Sequence, residues 1–156
     1  MQVAITPYRL IFNERVFTSR GSLDDHTVYY VTITDDKGNR GVGECAPLYG
    51  LSPEYGDGLY GVLKAKAKEY ERHGNLTKID FSNLSSVKFA FECAEMQLIK
   101  GGESLYETAF CKGEDGIRIN GLVWMGEIDV MLRRAREKYD VGFKCLKFKI
   151  GSKDFN

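Results

Sequence analysis

The alternation of apolar and polar positions divides the chain into a strand-rich opening, a helical middle and a close where strand and helix patterns alternate. Over residues 3–17, Tyr8, Leu10 and Phe12 share one parity, the period of a strand. Residues 28–34 are crowded with β-branched and aromatic side chains, and a turn over 35–39, with Gly38 and Asn39, leads into a further strand over 40–45. The spacing predicts a small antiparallel sheet of about three strands. A loop over 46–51 follows. Ser52-Pro53-Glu54 reads as a helix start, with serine as cap, proline in the first position and glutamate at the positive end of the dipole. That helix is expected to run through Leu59, Leu63 and Tyr70 to Gly74. A second is expected from Ser85 or Ser86 to Gly101-Gly102. Val87, Ala90, Phe91, Ala94 and Leu98 form its stripe, and Phe89, Cys93 and Met96 widen it, which predicts a largely buried helix with Phe89, Phe91 and Met96 in the core.

After a polar connection over 112–116 the pattern changes. Residues 117–124 read as a strand, 126–139 as a helix carrying Ile128, Met131, Leu132, Ala135 and Tyr139 at helical spacing, and 143–151 as a strand. Strand, helix and strand in so short a span make a βαβ unit, with parallel strands and a right-handed crossover. Its last strand, Cys145-Leu146-Lys147-Phe148-Lys149-Ile150-Gly151, is unusual. Side chains alternate along a strand, so Lys147 and Lys149 share one face and Leu146, Phe148 and Ile150 the other. A parallel sheet covered by helices is ordinarily apolar on both faces. Two lysines there cost desolvation unless chemistry uses them. This face is the candidate active site. The plainer alternative is an edge strand whose lysines deter aggregation. One βαβ unit also leaves open strand edges, so the chain is expected to be a truncated piece of a larger protein.

Composition narrows the classes. Among 156 residues, 22 basic side chains balance 22 acidic ones, so no basic excess points to nucleic acid or an anionic membrane. No apolar run approaches a membrane span, and residues 1–5 lack the features of a signal peptide. Cys45, Cys93, Cys111 and Cys145 have neither metal-site spacing nor disulfide-scaffold density, which fits reduced thiols in a cytoplasmic protein. His26 and His73 stand in polar contexts and are expected at the surface, not as ligands.

Several strings carry a resemblance: Thr18-Ser19-Arg20-Gly21, Gly41-Val42-Gly43-Glu44-Cys45-Ala46-Pro47-Leu48 with Gly50-Leu51-Ser52-Pro53-Glu54, Phe89-Ala90-Phe91-Glu92-Cys93-Ala94, Ile119-Asn120-Gly121-Leu122, and Lys147 with Lys149. In these strings and in element order the chain resembles the N-terminal part of an enolase-superfamily enzyme of the muconate-lactonizing-like subgroup. Within that subgroup it is most similar to the o-succinylbenzoate synthase family of menaquinone biosynthesis.

The resemblance implies an α+β capping domain over residues 1–110, an antiparallel sheet plus helices. The first β-α-β of a truncated (β/α)8 TIM-like barrel would follow over 111–156. It implies a lyase, a dehydratase that takes a proton next to a carboxylate in a small-molecule substrate. Lys149 would be the base and then the general acid. Lys147 would tune it or contact the carboxylate. A lysine base working near neutrality needs its pKa brought down from ~10.4 toward ~7–8, by burial and nearby positive charge. Ser19, Arg20 and Gly21 would belong to one lid loop and Gly50, Leu51 and Ser52 to the other, with Asn120, near the end of the first barrel strand, as a polar contact to substrate. The cofactor implied is Mg2+, its acidic ligands expected on later barrel strands beyond residue 156. The isolated chain is then expected to be inactive. No nucleic-acid or membrane partner is expected, and a homo-oligomer stays open.

Plainer roles stand beside these. Arg20 suits a solvated loop, Ser52 a helix cap, Asn120 a backbone partner and Glu44 a structural strand position. A dipeptide epimerase, an N-acylamino-acid racemase or a cycloisomerase of the same superfamily would share the lysine pair. A non-catalytic α+β module would instead turn both lysines to open solvent.

Overall fold

The structure is a computed structural model that describes residues 1–18, 21–102 and 104–151. Its strands β1 (Gln2–Thr18), β2 (Gly21–Thr34) and β3 (Arg40–Cys45) form an antiparallel sheet in the order β1-β2-β3. Tyr29 pairs with Cys45 and Thr34 with Arg40, so the turn at 35–39 closes the expected hairpin. Asp35 Oδ1 accepts from the amides of Lys37 and Asn39, at 2.9 and 2.8 Å, and so folds the turn around its own carboxylate. Strand β2 begins seven residues earlier than the apolar pattern suggested. The added stretch, residues 21–27, is polar except for Leu23 and has no alternation to read. It is held instead by pairing with β1 and by a two-point bond between the Arg15 guanidinium and Asp24, at 2.8 and 2.9 Å.

Helix α1 (Leu59–His73) and helix α2 (Ser85–Lys100) follow, separated by a short 3-10 turn at Leu76–Lys78. Gly74 and Gly101 end the two helices in the left-handed conformation, both at φ 73°, as their positions predicted. The start of α1 differs from expectation. The chain does not enter the helix at Ser52 but at Gly58, and residues 52–58 are turns. Gly56, at φ 157°, lies within those turns.

Helix α2 lies on β3 so closely that the strand carries no side chain at two of the contact points. A Cβ at Gly43 would stand 1.8 Å from the carbonyl oxygen of Ala90, and one at Gly41 1.9 Å from that of Ala94. Val31, Ile33, Leu63, Tyr70 and Phe91 fill the core around this contact. Val87, Ala90, Phe91 and Ala94 are buried as the stripe required, but Phe89 is 60% exposed. Helix α2 therefore buries one face only. Phe89, Cys93 and Met96 lie along an open groove of about 1120 Å³ and not in the core.

The final elements are β4 (Gly121–Val123), α3 (Ile128–Asp140) and β5 (Leu146–Phe148), with β4 and β5 parallel. Both strands are shorter than the sequence pattern implied. Ile117 and Ile119 are 66% and 72% exposed and lie outside β4. In α3, Met131 is buried, whereas Ile128, Leu132 and Tyr139 of its apolar stripe are exposed.

The chain forms two compact units. One holds residues 1–10 and 26–112. Among the described residues, the other holds residues 11–18 and 21–25 with the βαβ segment over 113–151. Within the second unit Arg134 of α3 donates to both carboxylate oxygens of Glu14, at 2.7 Å each.

Candidate active site

Strand register decides which side chains meet in the second unit. Gly121 pairs with Leu146, Leu122 with Lys147 and Val123 with Phe148. Continuing past the assigned strands, the Lys149 amide donates to the Val123 carbonyl at 2.9 Å, which sets Lys149 beside Trp124. Alternation then gives each face its members. Leu122, Trp124, Lys147 and Lys149 share one face, and Gly121, Val123, Leu146 and Phe148 the other.

Helix α3 covers the second of these faces. A Cβ at Gly121 would meet Leu146 Cδ2 at 2.9 Å, Phe143 Cγ at 3.0 Å and Lys138 Cβ at 3.1 Å, and Val123 is fully buried. The lysine face is the one the helix leaves uncovered. Lys147 is exposed and Lys149 half-buried. The Lys149 ammonium sits 5.3 Å from the centroid of the Trp124 ring. The indole Nε1–H in turn donates to the Phe17 carbonyl at 2.7 Å.

Asn120 stands elsewhere than expected. It immediately precedes β4, at the end of the strand opposite to Trp124 and Lys149, and it is exposed. The pattern over 117–124 suggests a longer strand that would carry Asn120 inside it.

In the first unit, the loop after β3 is organised by three side chains. Ser52 Oγ accepts from the Leu48 amide at 3.0 Å, while the Leu51 and Ser52 amides donate back to the Leu48 carbonyl. Ser52 thus closes a loop instead of capping a helix. His26 is half-buried and lies 3.1 Å from the Pro47 carbonyl oxygen through Nε2, a structural contact that its polar neighbours in sequence did not reveal. Glu54 performs the cap, for a different helix. Its Oε1 accepts from the Ser86 amide at 2.7 Å, the Ser86 hydroxyl at 2.5 Å and the Ser85 hydroxyl at 3.2 Å, at the N-terminus of α2. Gly50, at φ 68°, and Leu51, 53% exposed, sit at the outer end of this loop. Ser19 and Arg20 lie outside the described residues; Gly21 opens β2.

Burial by itself would raise the pKa of the Glu54 carboxyl. The bonds from Ser86 and Ser85 outweigh it and bring the value from 4.5 down to about 2. A lowered carboxylate pKa stabilises the fold above 4.5, and that contribution is lost as pH falls toward 2. Glu54→Gln is therefore expected to be less stable than the parent by about 1–2 kcal/mol at neutral pH. The gap should close between pH 4.5 and 2, read by thermal unfolding across that range.

Among the described residues, no group of three or more His, Cys, Asp or Glu side chains could hold a metal ion. All four cysteines are free. Among the described residues, no helix is long and apolar enough to cross a membrane.

A three-stranded antiparallel sheet with two helices, followed by a parallel strand pair joined through a helix, is the arrangement of enolase-superfamily proteins, a capping domain followed by the opening of a barrel. Residues 1–98 match the family model "MenC, N-terminal domain", and the chain belongs to that family. It is 31% identical, over 188 aligned positions, to the o-succinylbenzoate synthase of Desulfotalea psychrophila, an alignment that takes in all of this chain and 51% of the relative. The chain thus spans about half the length of the curated relative it matches. Among solved structures, a dipeptide epimerase from Enterococcus faecalis, complexed with Mg and L-Leu-L-Tyr, superposes with a TM-score of 0.75 at 21% identity, over 96% of this chain and 45% of its own. The o-succinylbenzoate synthase of Thermosynechococcus elongatus, with Mg in its active site, gives 0.70 at 20% identity over 99% and 44%. At such identities the structures speak for the fold alone.

Proposed function

We propose that this chain supplies the capping domain (residues 1–110) and first two barrel strands of a Mg2+-dependent o-succinylbenzoate synthase, with Lys149 as its base. The observation that carries the reading is the match of all of this chain, at 31% identity, to 51% of an o-succinylbenzoate synthase. The uncovered lysine face of the β4–β5 pair supports it, since barrel enzymes place their chemistry at the C-terminal ends of strands.

In this reading the substrate is 2-succinyl-6-hydroxy-2,4-cyclohexadiene-1-carboxylate. Neutral Lys149 Nζ takes the proton from the ring carbon that bears the carboxylate. The electron pair left behind forms a double bond to the neighbouring carbon, and the bond from that carbon to its hydroxyl breaks. The same Nζ, now an ammonium, returns its proton to the departing hydroxide on the same face. The products are o-succinylbenzoate and water. Ring aromatisation makes the elimination favourable once the first proton has gone. Lys147, two residues earlier on the same face, adds positive charge beside the carboxylate. The described residues offer no ligand set for Mg2+. In this reading its acidic ligands would come from the half of the enzyme that this chain does not match, and the metal would stabilise the negative charge that develops on the substrate carboxylate. Ser19, Arg20 and Gly21, and Gly50, Leu51 and Ser52, are assigned to the two lid loops by resemblance.

The test uses a completed enzyme, in which this chain is joined after Gly151 to the half of the Desulfotalea psychrophila synthase that it does not match. It is expected to form o-succinylbenzoate and to leave the α-carbons of dipeptides unexchanged in D2O. Epimerisation of dipeptides without o-succinylbenzoate formation would replace the dehydratase by an epimerase. The 156-residue chain alone is expected to show neither turnover nor Mg2+ binding by titration calorimetry. Turnover by the chain alone would contradict the division of the site between the two halves.

A further inference from the structure

Trp124 is the single tryptophan of the chain, and no role assigned so far uses it. It follows the last residue of β4, and Lys149 follows the last residue of β5. The 2.9 Å bond from the Lys149 amide to the Val123 carbonyl brings the two positions side by side. The indole is held from one edge, where its Nε1–H meets the Phe17 carbonyl at 2.7 Å. Its face is offered to the Lys149 ammonium at 5.3 Å from the centroid. Both side chains are half-buried, where an attraction between a cation and an aromatic face is less screened than in open water.

We propose that Trp124 is the positioning residue of Lys149, holding its ammonium on the indole face while the Phe17 carbonyl fixes the plane of the ring. The inference rests on Lys149 being the base. A lysine side chain has four rotatable carbons and no directional preference of its own, so a base of this type needs a surface to aim it. The attraction is strongest after the amine has taken the proton. In that state the same nitrogen must stay pointed at the departing hydroxide. Phe17 lies on β1, so the ring plane is set by that strand.

In the completed enzyme, Trp124→Leu is expected to lower kcat about tenfold with KM little changed, the kinetic equivalent of losing a cation–π contact from a partly buried site. Trp124→Phe keeps an aromatic face and is expected to recover most of kcat. A merely structural tryptophan would instead lower the folded fraction and spare kcat per folded molecule, and phenylalanine would give no selective rescue. An independent readout uses the 156-residue chain, where all tryptophan emission comes from Trp124. Lys149→Met should shift that emission, and Lys147→Met should not. The inference is overturned if Trp124→Leu turns over like the parent while Lys149→Met is inactive, or if emission ignores Lys149→Met. Retained turnover in Lys149→Met would instead remove the base assignment itself, so the two failures are told apart.

Discussion

Replacing Gly43 by alanine is expected to destabilise the first unit by about 3–5 kcal/mol, the far end of what overpacking a well-formed contact produces. The added methyl would stand 1.8 Å from the Ala90 carbonyl oxygen and 2.7 Å from its carbon. Both belong to the backbone of α2, so no rotamer change relieves the overlap and the helix has to move off the strand. Val87, Phe91 and Ala94 would lose their fit against the sheet together. On a total stability of roughly 5–15 kcal/mol, the loss leaves a unit that is marginal at best. Gly61→Ala is the matched control. It sits in α1 with open space around its would-be Cβ and should stabilise by a few tenths to about 1 kcal/mol. Thermal unfolding of the two variants should therefore move in opposite directions. Equal melting temperatures for Gly43→Ala and the parent would show that α2 does not rest on β3 as described.

Lys149→Ala in the completed enzyme is expected to cost at least about 10³-fold in kcat. General acid–base groups contribute roughly 10²–10⁴, and here one nitrogen serves both proton transfers. Little stability should be lost, because the side chain lies on the uncovered face and its amide still bonds to Val123. Lys147→Ala should retain more activity, since its charge assists but moves no proton. Steady-state kinetics beside a melting curve separates loss of chemistry from loss of fold. Near-parent turnover in Lys149→Ala would show the base to be elsewhere.

What the sequence revealed follows from how local each determinant is. The stripe of α2 and the glycine that ends it are read within a few turns of one helix, and both stand where expected. The lysine face could be read from parity alone, because a strand has no other period. Ser52-Pro53-Glu54 carried the right chemistry and misdirected it. Serine and glutamate do act as hydrogen-bonding caps there, but Ser52 binds Leu48 and Glu54 reaches 32 residues on to Ser86. Phe89 misled for a related reason. An apolar residue beside the buried stripe looks like core until one knows that α2 has a sheet on one side only. The polar start of β2 has no apolar period, and its partner Arg15 lies across the hairpin. Trp124 was the clearest omission. Its parity with Leu122 could be counted from sequence, but its contact with Lys149 depends on the register of two strands separated by a helix, which local pattern does not contain.

Amine rescue of Lys149→Ala tests the central assignment most directly. In the completed enzyme, small primary amines added to this variant should restore o-succinylbenzoate formation in proportion to the concentration of free amine, with more basic amines restoring more. Rescue of Lys147→Ala but not of Lys149→Ala would move the proton-transferring nitrogen to the neighbouring lysine and contradict the account.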